Sequence, residues 1–363
     1  MLIIGYIIFG FSLVQLIVAL SNLIFSQPFS KTAQNQSTMV SVLVPARNEE
    51  KNIANIIRDI QNQKYPNFEL IIFNDESTDQ TEDIVRKYGK NDKRIKLINS
   101  TGLPVGWLGK NHACYSLAQA ANGKYYLFLD ADVRISGDII GSSLAALNKQ
   151  GLGLLSIFPV QIMRSFGERL TVPNMNFILL TLLPLVLVRA AAPPSLAAAN
   201  GQFMFFKADS YKKLQPHLTH KYNKVEDIET ARYFKKNKIK VACLSGKKDI
   251  RCRMYNGFNE SVNGFSRNVV MFFGNSFLLA LIFWIITTFG FIAVWITFPL
   301  LTFLLYLLIF ISTRIFVSIV SHQNIIINLM LAIPQQFTLG LIIFKSFINN
   351  QNKAFEWKGR NIS

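Results

Sequence analysis

The sequence has little charge and few cysteines for its length. Of its 363 residues, 16% are charged and only 3 are cysteines. An odd number of cysteines without pairs at metal-binding spacing argues against a disulfide framework or a zinc module, and is typical of a reducing cytosolic environment. The chain also lacks helix-turn-helix, zinc-finger and RNA-binding signatures, so we predict no nucleic-acid partner.

Charge is absent from residues 2–25 and nearly absent from residues 272–348. Apolar stretches of this length are long enough to cross the hydrocarbon core of a bilayer. The first stretch lacks both the basic start and the Ala-x-Ala end of a cleaved signal peptide, so we predict an uncleaved membrane anchor. The middle of the chain has ordinary soluble composition and is large enough for one domain.

The composition therefore predicts a domain between membrane segments. The predicted parts are an N-terminal anchor (1–25), a polar linker (26–39), a domain (40–271), a C-terminal membrane region (272–348) and a cytosolic tail (349–363). The C-terminal region divides near Phe289-Gly290 and again near 314–324, which predicts two or three spans, near 272–292, 293–314 and 325–348. Pro334-Gln335-Gln336 would break the last one.

Basic residues are in excess, and they are densest before the C-terminal membrane region. The formal net charge is +17, and residues 207–267 contain fifteen Lys and Arg against six Asp and Glu. A charge run is usually a solvated face, but beside membrane spans we predict that it lies on anionic headgroups. The apolar stretch within residues 172–190 is too short to span. It is either a buried core helix or an interfacial segment beside a lipid acceptor.

Residues 40–158 alternate between predicted strands and helices. The predicted strands are 40–45, 68–73, 94–98, 124–129 and 152–158, and predicted helices lie between them. Strand–helix alternation without hairpin signals predicts an α/β domain with a doubly wound, mostly parallel sheet.

The strand at residues 124–129 ends in two carboxylates, Asp130 and Asp132. Ligands of open α/β sheets bind beyond the carboxyl ends of such strands, so both side chains would project into a cleft. Two acids on alternate residues can share a hard divalent cation that bridges a diphosphate. Taken alone, this short motif has an alternative interpretation: a polar strand end followed by a turn, without a metal site.

Other polar loops would meet these acids at the same edge of the sheet. Arg47 and Glu49 follow the first strand, and Asp75 follows the second. Lys110 opens the helix before Asp130, and a helix N-terminus can hold anionic oxygen. Asp227 begins a later amphipathic helix, where an acid serves either as a cap or in a functional site.

As a set, four motifs resemble glycosyltransferase family 2. They are Pro45-Ala-Arg-Asn-Glu-Glu50, Asn74-Asp-Glu-Ser-Thr-Asp79, Asp130-Ala-Asp132 and Glu226-Asp227. The resemblance covers about residues 40–267 and implies a GT-A fold, with a Rossmann-like sheet, and an inverting reaction. Residues 106–114, 253–258 and 356–360 are similar to those of membrane-bound members that glycosylate carotenoids or hopanoids and, more distantly, ceramide.

The resemblance also implies a role for each matching residue. The nucleotide pocket would be lined by Pro45, Arg47, Glu49 and Asp75, with Asp75 reading the base. Asp130 would face the ribose and the metal-bound diphosphate, Asp132 would ligate Mg²⁺ or Mn²⁺, and Asp227 would be the general base. Relatives carry an Arg-Trp pair near the first C-terminal span. The matching residue here is Arg267, without the Trp, and we predict that Trp357 and Arg360 supply part of that function.

These features predict a multi-pass inner-membrane hexosyltransferase whose domain faces the cytosol, where nucleotide sugars are made. It would move a hexose from a nucleotide-diphosphate sugar to a membrane lipid, a carotenoid, hopanoid or similar isoprenoid rather than a sphingolipid. One alternative is a polyprenyl-phosphate glycosyltransferase or a polysaccharide synthase, although a synthase needs a translocation channel and two or three spans are few. Another is an inactive membrane scaffold, which would be free to lose its aspartates.

Overall fold

The computed structural model describes residues 2–26 and 37–351, and the backbone of residues 356–357 and 360–361. The chain forms two compact units. The sheet unit comprises residues 27–160 and 187–252, and the helical unit comprises residues 1–26, 161–186 and 253–363. Residues 161–186 and 253–271, predicted to lie within the domain at 40–271, thus pack with the apolar helices.

The elements are numbered in chain order. The strands are β1 (Val40–Ala46), β2 (Phe68–Asn74), β3 (Ile95–Asn99), β4 (Tyr125–Leu129), β5 (Val133–Ile135), β6 (Leu154–Phe158), β7 (Val160–Gln161), β8 (Phe203–Lys207), β9 (Val241–Ser245), β10 (Ile250–Cys252), β11 (Glu356–Trp357) and β12 (Arg360–Asn361). The helices are α1 (Leu2–Ile24), α2 (Ile53–Gln61), α3 (Thr81–Asn91), α4 (Gly109–Ala120), α5 (Ile139–Gln150), α6 (Phe166–Thr171), α7 (Pro173–Leu182), α8 (Leu185–Ala190), α9 (Ala208–Leu214), α10 (Pro216–Thr219), α11 (Glu226–Lys236), α12 (Phe258–Ser266), α13 (Phe277–Thr297), α14 (Leu300–Val320), α15 (Ile325–Met330) and α16 (Ala332–Gln351).

The sheet unit is built on seven strands in the order β3-β2-β1-β4-β8-β6-β9. All neighbours are parallel except β8, which runs antiparallel to both β4 and β6. This confirms the predicted mostly parallel α/β sheet. No predicted strand covered β8, whose residues Phe203 to Phe206 are all buried. A strand buried on both faces has no polar alternation to mark it.

Parallel pairing brings the ends of three strands to one edge of the sheet. β1 pairs with β2, so that Ala46 lies opposite Asn74, and β1 also pairs with β4, so that Leu43 lies opposite Phe128. The residues that follow these strands therefore leave the sheet together. In α2, the four isoleucines spaced for a helical face are all buried, as their periodicity predicts.

Among the described residues, three helices of the helical unit, α1, α13 and α14, are long and apolar enough to cross a membrane. This confirms the predicted N-terminal apolar helix and gives two C-terminal ones; that they cross a membrane stays a prediction. The predicted division at Phe289-Gly290 is wrong, because α13 continues through it. A Cβ on Gly290 would lie 2.7 Å from Cγ2 of Ile8 in α1. This glycine therefore permits close helix packing rather than ending a helix.

The predicted third span is divided between α15 and α16, which meet at Leu331. Pro334 lies in the first turn of α16, where its missing N–H breaks no helical hydrogen bond. Gln335 and Gln336 are buried. In the stretch at 172–190, Phe177 of α7 belongs to the buried apolar core of the helical unit.

We predict that Gly5→Ala weakens packing in the helical unit, whereas Gly10→Ala does not. A Cβ at Gly5 would lie 2.8 Å from Cγ2 of Thr297, whereas a Cβ at Gly10 would meet nothing within 4 Å. Overpacking of this kind costs about 1–3 kcal/mol. Thermal unfolding in detergent should show a lower midpoint for Gly5→Ala only, and equal midpoints would contradict the packing of α1 on α13.

Candidate active site

The segments that follow β1 and β2 are joined by hydrogen bonds. Nη1 of Arg47 donates to the backbone carbonyl of Asp75 at 2.6 Å, and the N–H of Glu49 donates to Oγ1 of Thr81 at 2.8 Å. Asn48 has a φ of 53°, in the left-handed region, so it turns the chain and α2 begins only at Ile53. Arg47, Glu49 and Asp75 thus lie on one connected rim.

Beyond β4, Lys110 lies between two carboxylates. Its Nζ is 2.9 Å from Oδ1 of Asp130 and 3.6 Å from Oε1 of Glu226. Asp130 follows β4, whereas Glu226 begins α11. The fold therefore brings together residues more than a hundred positions apart in sequence.

The start of α4 is fixed to the loop that precedes α11. The side chain of Asn111 donates to the backbone carbonyls of His220 and Asn223 at 2.9 and 3.0 Å. The N–H of Leu108 donates to the carbonyl of Lys221 at 2.9 Å. These bonds hold α4, and with it Lys110, at the beginning of α11.

Asp227 lies beside this group and is held by two backbone donors. Its Oδ2 accepts from the N–H of Gly201 at 2.9 Å, and its Oδ1 accepts from the N–H of Ile228 at 2.7 Å. A Cβ on Gly201 would lie 3.1 Å from Nζ of Lys110, so the backbone approaches the charged group closely. Sequence reasoning assigned no role to Gly201, although an Asn-Gly pair marks a turn.

Negative charge is poorly accommodated in the site. Burial, followed by the charges of Asp130 and Glu49, raises the pKa of Asp132 to about 7. Burial also raises the pKa of Glu226 to about 7, against the opposing effect of Lys110. Burial raises the pKa of Asp227 as well, against the N–H of Ile228. A buried cluster of acids with one lysine favours the arrival of further positive charge.

The residues fit a divalent cation that arrives with a diphosphate. Oδ1 of Asp132 is buried and accepts no hydrogen bond from the described residues. Within residues 2–26 and 37–351, no cluster of three or more His, Cys, Asp and Glu forms a complete metal site. Mg²⁺ typically takes one or two carboxylates and completes its shell with water and substrate phosphates. Asp130 and Asp132 match that pattern.

The structure brings most of the predicted site residues together in the sheet unit. They are Pro45, Arg47, Glu49, Asp75, Lys110, Asp130, Asp132 and Asp227. Arg267 follows α12 in the helical unit. Trp357 and Arg360 lie opposite each other in the β11–β12 pair, and their side chains are outside the described part of the chain. The roles of these last three residues stay predictions.

A mostly parallel α/β sheet with an Asp-x-Asp pair after a central strand defines a GT-A type of domain. The fold is also that of a mannosyltransferase from Pyrobaculum calidifontis solved in complex with GDP-Man and Mn²⁺, with a TM-score of 0.55 and 16% identity, over 96% of this chain and 98% of that one. Residues 41–215 match the family "Glycosyl transferase family 2". Over these residues, just under half of its length, the chain is similar to that family.

Several staphylococcal relatives carry the name 4,4'-diaponeurosporenoate glycosyltransferase. The protein from Staphylococcus haemolyticus is 26% identical over 254 residues, which are 67% of this chain and 64% of the relative. The protein from Staphylococcus aureus (strain USA300) is 34% identical over 141 residues, which are 38% of this chain and 36% of the relative. The chain thus spans less than two thirds of the length of each.

Proposed function

We propose that the protein transfers a hexose from a nucleotide-diphosphate sugar to a membrane lipid, with inversion at the sugar carbon. The observation that carries this proposal is the meeting of Lys110, Asp130 and Asp227 at the carboxyl edge of the sheet. The name of the Staphylococcus relatives supports an isoprenoid acceptor, a carotenoid or a similar lipid. The GDP-Man and Mn²⁺ of the mannosyltransferase complex support a nucleotide sugar and a divalent cation.

On the donor side, Asp130 and Asp132 would hold Mg²⁺ or Mn²⁺, which neutralises charge on a leaving diphosphate. Lys110 is 2.9 Å from Asp130, within reach of any anion that binds there. We assign it to an oxygen of the diphosphate, a charge-assisted contact that strengthens as the sugar leaves. Arg47, Glu49, Asp75 and Pro45 form the rim that receives the nucleoside.

On the acceptor side, Asp227 is the base for an acceptor hydroxyl. Its two oxygens are oriented by backbone N–H groups, which fixes the carboxylate in one position. A raised pKa brings a carboxylate closer to the range in which proton transfer at neutral pH is efficient. An acceptor carboxylate has no proton to lose, so Asp227 would then contribute less. We assign Arg267, Trp357 and Arg360 to the acceptor side.

Donor binding by the purified full-length protein tests the proposal. UDP-glucose, UDP-N-acetylglucosamine and GDP-mannose are titrated by calorimetry with Mn²⁺ and with EDTA. We expect at least one to bind and to lose affinity when the metal is removed. If none binds, the result contradicts the proposal and favours the inactive scaffold. Mass spectrometry of lipid products then separates a single transferred sugar from the polymer that a polysaccharide synthase makes.

We place the protein in the inner membrane with the sheet unit and the C-terminus in the cytosol. α1, α13 and α14 supply three crossings, so the chain after α14 returns to the side of the sheet unit. Lys345, Lys353, Lys358 and Arg360 near the end favour the cytosolic side. The α15–α16 segment, with its buried amides, would then enter and leave on one face.

Ser363→Cys is expected to react with an impermeant maleimide only after cells are opened, because the tail is cytosolic in this topology. The three native cysteines are buried, so the unmodified protein is the control for background labelling. Labelling of Ser363→Cys in intact cells would place the tail outside and remove Trp357 and Arg360 from the site.

A further inference from the structure

A buried arginine lies inside the helical unit, in a helix long and apolar enough to cross a membrane. Arg314 of α14 is 3% exposed. It precedes Val320, the last residue of α14, by six positions, or about 9 Å along the axis. A charged residue at such a depth is rare and usually marks a functional site.

The hydrogen bonds of Arg314 leave one edge of its guanidinium unused. Nη1 donates to Oε1 of Gln335 at 3.1 Å. The guanidinium carbon lies 4.0 Å from the ring centre of Phe177 and 5.6 Å from that of Phe310. Nε and Nη2 are buried and have no acceptor among the described residues. These two nitrogens form the edge of arginine that can donate side by side to two oxygens of one anion.

The charge of Arg314 has no counter-ion among the described residues. The helical unit contains only three acids, and Glu168 is paired with Arg253 at 2.8 Å. Glu260 accepts from the N–H of Asn256 at 2.9 Å, and the side chain of Glu356 lies outside the described part. Arginine cannot escape the cost of burial by losing its proton. An isolated buried charge is strongly unfavourable unless an opposite charge joins it.

The surrounding amides hold the arginine in place without neutralising it. Nε2 of Gln335 donates to Oδ1 of Asn328 at 3.2 Å and to the carbonyl of Arg169 at 3.0 Å. Nδ2 of Asn328 donates to Oγ of Ser318 at 3.0 Å. Gln335 is thereby fixed with its oxygen toward Arg314. The network orients the guanidinium but offers no acceptor to its Nε–Nη2 edge.

We propose that Arg314 binds the oxyanion of a lipid, a carboxylate or a phosphate, that enters the helical unit from the bilayer. Parallel bonds from Nε and Nη2 to two oxygens would satisfy both donors and supply the missing negative charge. The inference that this lipid is the sugar acceptor rests on the proposed function, and it would narrow the acceptor to an acidic isoprenoid. Binding itself does not rest on it, because no nucleotide sugar takes part.

The test measures lipid binding by the full chain in phosphatidylcholine nanodiscs without a nucleotide sugar. Quenching of tryptophan fluorescence compares retinoic acid, an isoprenoid carboxylate, with its uncharged methyl ester. We expect the acid to bind at least about tenfold more tightly, the equivalent of about 1.4 kcal/mol. Equal affinities in the wild-type protein would overturn the proposal, whatever the variants do.

Competition identifies the source of the oxyanion. Farnesyl phosphate is expected to displace retinoic acid, and farnesol is not. Nanodiscs of phosphatidylglycerol instead of phosphatidylcholine test whether a phospholipid occupies the site. If phosphatidylglycerol strongly weakens retinoic acid binding, the occupant is a phospholipid phosphate. If it weakens that binding only slightly, the occupant is an isoprenoid anion. If farnesol displaced retinoic acid as effectively as farnesyl phosphate does, the site would not recognise charge and the proposal would be contradicted.

Two variants should remove the preference for the acid by opposite routes. Arg314→Gln deletes the positive charge, and Gln335→Glu places a carboxylate beside Nη1, which supplies the counter-charge from within. Lys345→Gln is the matched control, because Arg314 and Lys345 are the two charged residues of 272–348. It should keep the preference. If the folded Arg314→Gln or Gln335→Glu protein kept the wild-type ratio of affinities for retinoic acid and its methyl ester, Arg314 would have a purely structural role.

Discussion

Replacing Asp132 with asparagine is expected to abolish metal-dependent binding of the nucleotide sugar and to lower turnover by about 10²–10³-fold. Asparagine keeps the shape of the side chain but removes the charge that a divalent cation requires. Oδ1 of Asp132 is buried and has no hydrogen-bond partner among the described residues, as expected of an oxygen that ligates a cation. Calorimetry with the donor, with and without Mn²⁺, measures the effect.

The same substitution should not harm the metal-free fold. Asp132 is buried among the negative charges of Asp130 and Glu49, so removing its charge relieves repulsion. We expect an equal or higher thermal midpoint in EDTA, but no further rise when Mn²⁺ and donor are added. Asp209→Asn is the control, since that carboxylate is 87% exposed. Retained metal-dependent donor binding in Asp132→Asn would remove this residue from the metal site.

The core of the sheet could be predicted because its strands carry local signals. The apolar runs that become β1, β2 and β4 each end at a polar residue, and the isoleucines of α2 repeat at helical spacing. Such patterns depend only on neighbours in sequence. β8 has the same apolar character, but nothing in Phe203 to Lys207 records that the strand runs antiparallel to its neighbours.

The proximity of the candidate site residues could be predicted in part because their motifs lie at strand ends, where the fold class itself predicts a cleft. The contact of Lys110 with Glu226 could not be predicted, because it depends on the loop that Asn111 ties to α4. The division of the chain into two units was missed for a similar reason. α7 is a short apolar helix in sequence, and only its burial beside the long helices shows where it belongs.

The two acids at the start of α11 are adjacent in sequence but have different surroundings. Glu226 is buried and 3.6 Å from Lys110, so it balances the lysine charge. Asp227 is half-buried, and its carboxylate accepts hydrogen bonds from the backbone N–H groups of Gly201 and Ile228. A carboxylate oriented by the backbone can approach an acceptor, whereas one beside a lysine chiefly sets local charge. This difference supports Asp227 rather than Glu226 as the base.

Asp227→Asn is therefore expected to lower kcat by about 10²–10⁴-fold for a hydroxyl acceptor, with little change in donor affinity. An amide cannot take the proton, while the residues that we assign to the donor side, Asp130, Asp132 and Lys110, are unchanged. The amide can accept only one of the two backbone N–H groups, which leaves one unsatisfied and costs about 1–3 kcal/mol of stability. Activity must therefore be measured well below the unfolding midpoint, with donor affinity taken from calorimetry.

Glu229→Gln is the matched control for Asp227→Asn, because both remove a carboxylate from the first turn of α11. The positive end of that helix is stabilised by either acid, so a general electrostatic effect would appear in both variants. Glu229 is paired with Arg232 at 2.6 Å, and we expect its replacement to change kcat less than about threefold. Asp227→Asn should also lose less kcat with a carboxylate acceptor than with a hydroxyl acceptor, because a carboxylate has no proton to give. If Asp227→Asn lost donor affinity in proportion to its activity, Asp227 would belong to the donor pocket and the base would have to be sought elsewhere.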